Sequence, residues 1–170
     1  RTGQITAQRD NPMSALINEL KTRARLRLNA ARRGGDERTR LRDCLHLVVR
    51  EAGFVHWDHA RLVLGGTAPV GSDMGTFWHT NGTGVLLNQW FASVDEARAV
   101  HQADPGAFLL PYRRQFMLVQ DDFIREIGCD PADPAWRELG RDVVRGYATM
   151  AWVAVTMQRL HAVRTLAPSS

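Results

Sequence analysis

Cys44, His46, His56 and His59 are side chains of metal-binding type gathered in one short stretch, and zinc is the ion that such donors suit. On a helix, residues two apart point about 200° apart, so Cys44 and His46 do not converge on one tetrahedral ion. His56 and His59 can converge, but two ligands make no structural site. The expectation is therefore no metal and no cofactor, with Cys44 filling apolar space and the histidines at helix ends or on the surface.

A second constellation comprises Trp78, His79, Asn88, Trp90, His101, Tyr112, Arg113, Arg114 and Gln115. In it, His79 could serve as a general base and Arg114 as an anion clamp, because strand alternation puts Tyr112 and Arg114 on one face. The binding counterpart is a ligand pocket built from His79, Asn88, Tyr112 and Arg114. Against both stands a packing role: Trp78, Trp90, Phe91, Phe108 and Phe116 suit a small sheet covered by helices, with His79 merely hydrogen-bonded. Gly66 to Ser72 has the glycine spacing of a P-loop but carries Ser72 in the lysine position, and Gly82-x-Gly84 lacks the third glycine of a dinucleotide fingerprint. Neither G-x-S-x-G nor H-E-x-x-H occurs.

Charge is the third chemical feature. The 170 residues carry 22 basic and 18 acidic side chains, for a formal charge of +4. Residues 1–50 hold 12 basic against 5 acidic side chains, or +7, whereas residues 51–170 hold 10 against 13, or −3. Lys21 is the single lysine. Arginine suits planar contacts to phosphate and carboxylate, although GC-rich coding produces the same bias. Arg23, Arg25, Arg27, Arg32 and Arg33 form rows on the first predicted helix, so an acidic partner, nucleic acid or protein, is expected to meet residues 20–33. A helix-turn-helix reading of Leu41 to Leu64 is poor, since the would-be reader, Trp57 to Leu64, offers only Asp58, His59 and Arg61. Phe54 and Trp57 are better placed to close a three-helix core. Binding is thus expected ahead of catalysis, with a second copy of the chain as a further partner that the apolar C-terminal helix allows.

The elements that must position these residues follow from periodicity. Leu16, Ile17, Leu20, Ala24, Leu28 and Ala31 lie on one helical face from Met13 to a stop at Gly34-Gly35. Asp36 is expected to cap a second helix with the stripe Leu41, Leu45, Val48 and Ala52, ending at Gly53; a third runs from Phe54 and Trp57 to Gly65-Gly66. Asn81-Gly82 predicts a hairpin between 77–80 and 83–87. Helices are expected at Asp95–Gln102, at Asp121–Ile127, after Asp133-Pro134 and at Arg145–Arg164, with an extended segment over Phe108–Val119. The fold class is α+β, mainly α: a three-helix unit at 13–66, a linker at 67–76, and an α+β domain at 77–166 with a small hairpin-centred antiparallel sheet packed by helices. Residues 1–12 are expected to be an extension and 167–170 a frayed tail.

The segment Leu20 to Leu64, above all Cys44 to Ala60 with its Gly53-Phe54-Val55-His56-Trp57, resembles a small helical module of bacterial proteins. A helix ending in Gly-Phe, two residues and a Trp is its mark, and similar modules front bacterial ankyrin-type and glyoxalase-related proteins. This resemblance implies a packing or interaction module and brings no catalytic residue. Phe77-Trp78-His79, Leu86 to Phe91 and Phe108 to Tyr112 look like a bacterial family of unassigned role. Two isolated cysteines fit a reducing cytoplasm rather than a disulfide framework. No apolar run approaches the roughly 20 residues of a membrane span, so no membrane partner is expected.

Overall fold

The structure is a computed structural model that describes residues 11–165. Its elements run α1 (Pro12–Arg33), α2 (Leu41–Glu51), α3 (Trp57–Leu64), a 3-10 turn (Asn81–Val85), β1 (Asn88–Phe91), α4 (Val94–Ala103), β2 (Phe108–Tyr112), β3 (Gln115–Val119), α5 (Asp121–Glu126), α6 (Pro134–Glu138) and α7 (Met150–Thr165). The chain is α+β and mainly α, with one antiparallel sheet of order β1-β3-β2. The expected tail, 167–170, and all but Asn11 and Pro12 of the expected extension lie outside the described residues.

Asn11 opens α1 by accepting the Met13 N–H at 3.1 Å, with Pro12 at the first helical position where its missing N–H costs nothing. Leu16, Leu20 and Ala24, spaced four apart, are wholly buried on one face. The second helix begins later than expected. Asp36 does not cap it; instead its carboxylate accepts the Arg38 and Thr39 N–H groups and the Thr39 hydroxyl, a local turn that satisfies Asp36 before the helix starts. Asp43, inside α2, accepts the Arg40 N–H at 2.8 Å. The buried stripe of α2 is Cys44, Val48 and Val49, while Leu41 stays exposed.

The largest correction concerns Asn81-Gly82. Residues 77–80 form no strand, and 81–85 coil into a 3-10 turn in which the Thr83 hydroxyl donates to the Thr80 carbonyl at 2.6 Å. Phe77 and Trp78 are both buried, which a half-exposed alternating strand does not permit. Their backbone is also already engaged. Arg159 of α7 donates to the Phe77 carbonyl at 2.8 Å and the His79 carbonyl at 3.2 Å, as well as to the Ile127 carbonyl at 2.7 Å. The hairpin lies instead within 108–119, where β2 and β3 meet across Arg113-Arg114 and Pro111 sits on the outer strand opposite Phe116. Arg113 takes the left-handed φ of 51° because its N–H and carbonyl are held by Gly75 and Met74. Leu109, Phe116 and Leu118 face α4 through Ala97, while Phe108, Leu110, Met117 and Val119 face the main core.

That main core is continuous from Leu16 to Leu160. Residues 67–76, expected as a linker, are bonded on both sides. The Tyr147 hydroxyl accepts from the Ala68 N–H and donates to the Val63 carbonyl, and the Thr76 N–H donates to the Gly53 carbonyl at 2.9 Å. Gly75 needs its lack of a side chain: its φ is 68°, and a Cβ there would run into the Gly53 carbonyl. Helix α7 starts at Met150 rather than Arg145, after Ala148 at a φ of 64°, and no described helix is long and apolar enough to cross a membrane.

Removing the Arg159 guanidinium strands three carbonyls at once, with each unsatisfied group costing about 1–3 kcal/mol. Urea unfolding should therefore show Arg159→Met less stable than the parent by about 3 kcal/mol or more, with Arg159→Lys in between. A loss under about 1 kcal/mol for Arg159→Met would contradict this role.

Candidate functional site

The constellation around His79 is drawn together only in part. Its imidazole packs against Tyr112, with ring centroids 5.1 Å apart, and against Trp90 at 6.5 Å, while Trp90 meets Tyr112 at 5.1 Å. Strand β1 delivers Trp90 and β2 delivers Tyr112, and the Arg159 bond to the His79 carbonyl sets the third ring beside them. Asn88 joins as a support: its Oδ1 accepts the Trp90 indole N–H at 2.7 Å. Tyr112 meets both other rings edge to face, while His79 and Trp90 are tilted to one another. Arg113 spreads over the Tyr112 ring at 5.6 Å, and Arg114 is exposed at the tip of the turn. Trp78 is buried against Phe77 and Trp136, and His101 is bonded to the Ala107 carbonyl beneath α4, so neither joins the cluster.

Burial, and secondarily the Arg159 charge, hold His79 below the ordinary imidazole range. Cys129, the other titratable group beside Arg159, is buried and its thiol is pushed up to about 12, chiefly by burial. It stays a thiol and is no nucleophile at neutral pH. The apolar cavity beneath Pro111 and Trp152 holds only about 30 Å³, which matches a filled core. Wider depressions of about 510 and 570 Å³ flank α6, and neither has a histidine or cysteine in its wall.

Three of the four metal-type residues are engaged within the fold, while His46 is exposed on α2. Cys44 is buried in α2. His56 Nδ1 accepts the His59 N–H, His59 Nδ1 accepts the Val55 N–H, and His59 Nε2 donates to the Asp73 carbonyl at 2.7 Å. Phe54 stacks on Phe77 at 5.8 Å and meets His59 edge-on, so the Gly-Phe-x-x-Trp segment serves packing. Among the described residues, no cluster of three or more His, Cys, Asp or Glu is placed to hold an ion.

The basic set divides sharply. Arg23 pairs with Glu19 at 2.9 Å and donates to the Leu160 carbonyl at 2.6 Å, with only 10% of its side chain exposed; it ties α1 to α7. Arg27 grips both Glu51 oxygens at 2.5 and 2.6 Å, tying α1 to α2. Arg25, Arg32 and Arg33 are exposed, and none has a carboxylate partner among the described residues. Three arginines beyond the expected set, Arg38, Arg40 and Arg42 in the turn after α1 and at the start of α2, are also exposed, with Arg42 reaching Asp43 at 3.9 Å. Their alternation through Arg38-Thr39-Arg40-Leu41-Arg42 is visible in the sequence. Exposed Glu37 offsets part of this charge, and so does Asp36. Its carboxylate is occupied by the turn, and the Thr39 hydroxyl and the two N–H groups hold it below the usual carboxylate range.

The chain matches no family model, no curated protein and no solved structure.

A histidine that binds its proton less readily when folded makes stability fall with acid. The His79 contribution is complete above the ordinary imidazole value, near pH 6.5, and is lost as pH drops through the lower folded value. Proton NMR should show the His79 ring titrating below about pH 6.5, and His79→Gln should flatten the decline of stability on the acid side. A midpoint above the ordinary value would contradict the burial argument.

Proposed function

We propose that the chain is a non-catalytic interaction module that meets an acidic partner through the arginines of residues 25–42. One observation carries the reading: Arg25, Arg32, Arg33, Arg38, Arg40 and Arg42 are all exposed along a single stretch of chain. Three carboxylates lie in the same stretch, Asp36, Glu37 and Asp43, so the arginines outnumber them. Arg23 and Arg27 drop out of the contact set because each is ion-paired inside the protein. Edge-to-face contact of Tyr112 with His79 and Trp90 favours packing there over the alternative, a catalytic or small-molecule pocket. Free, buried Cys44 and Cys129 suit a reducing, cytoplasmic setting.

Exposed arginines contribute little to folding, so their replacement separates binding from stability. On a heparin column, Arg32→Glu/Arg33→Glu should elute at clearly lower salt than Arg137→Glu/Arg145→Glu, which makes the same change in net charge at the α6 side. Equal elution of the two variants would count against the arginines of residues 25–42 as the contact.

A further inference from the structure

We propose that the acidic partner is the phosphate backbone of a nucleic-acid duplex; this rests on the reading of the arginines of residues 25–42 as the contact surface. The first argument is the absence of stacking groups. No Phe, Trp or Tyr precedes Phe54 in the chain, so the arginine-bearing stretch itself carries no aromatic ring on which unpaired bases could stack. Proteins that hold single strands depend on such platforms. Adenine edges have few readers there, because Asn29 is the one amide side chain between Arg25 and Arg42.

Rigidity is the second argument. Arg25, Arg32 and Arg33 stand on a continuous 22-residue helix, and α1 is anchored at Arg23 and Arg27 to α7 and α2. The following arginines are held by the Asp36 turn and by the Asp43 bond to the Arg40 N–H. A fixed array of charges loses little freedom on meeting a stiff polyanion, whereas a flexible single strand or an acidic peptide must be ordered against it. Density points the same way. Arg25 to Arg33 spans about 12 Å of helix, and a duplex presents about one charge per 1.7 Å of its axis, twice the density of one strand.

The test is fluorescence anisotropy with four labelled probes: a DNA duplex of mixed sequence, an RNA duplex of the same sequence, oligo-dT and polyglutamate. Both duplexes should bind alike and at least about tenfold more tightly than oligo-dT, with polyglutamate weaker still. With about four phosphates neutralised, duplex affinity should fall about a hundredfold between about 50 and 200 mM salt. Arg25→Glu/Arg32→Glu/Arg33→Glu, checked for native circular dichroism, should reduce duplex affinity at least about tenfold and flatten the salt dependence. Oligo-dT or polyglutamate binding as tightly as the duplexes would overturn the duplex assignment and leave the acidic-partner reading standing. Failure to bind every probe at low salt would remove both.

Discussion

A guanidinium with no carboxylate beside it lies at the centre of this fold. Arg159 is 4% exposed and spends its donors on the carbonyls of Phe77, Ile127 and His79. Burial lowers its basicity, although the three carbonyls still receive a charge-assisted bond each. Ile127 closes α5, so one of those bonds satisfies a carbonyl at the negative end of a helix. The consequences reach outward from there. Residues 77–79 are held away from the sheet, Phe77 and Trp78 turn into the core, and the His79 ring is set against Tyr112 and Trp90. The rings of His79, Tyr112 and Trp90 pack together beside this buried cation.

The same economy explains which arginines remain for a partner. Arg23 and Arg27 face neighbouring elements and are absorbed by Glu19, Leu160 and Glu51. Arg25, on the other side of the helix, points to solvent, as do Arg32 and Arg33 beyond the last packed turn. Helical spacing therefore sorts chemically identical side chains into braces and contacts. The braces make the contacts stiff, because they fix α1 at two points along its length. Tyr147 and the Gly53–Gly75 crossing complete the frame by joining residues 67–76 to what lies on either side.

Much of the helical part was legible because it is local. The apolar face and the Gly34-Gly35 stop bracket α1, and Asp133-Pro134 announces α6. The failures share a physical cause, which is a distant partner that outweighs a local preference. Asn81-Gly82 favours a hairpin, but Arg159, about 80 residues away, takes the carbonyls that its first strand would need. Arg113-Arg114 is an unpromising turn until Met74 and Gly75 hold Arg113 in place. In the candidate site, Arg25, Arg32 and Arg33 could be found from charge and spacing. The engagement of Arg23 by Leu160 could not, since no pattern in α1 mentions α7.

Amide chemical-shift mapping during titration with a DNA duplex tests the central claim most directly, since it reports both where contact occurs and whether the interior is disturbed. The account predicts the largest shifts along residues 25–42, with the amides of His79, Trp90 and Tyr112 unmoved. Shifts centred on those three residues, with 25–42 silent, would contradict it.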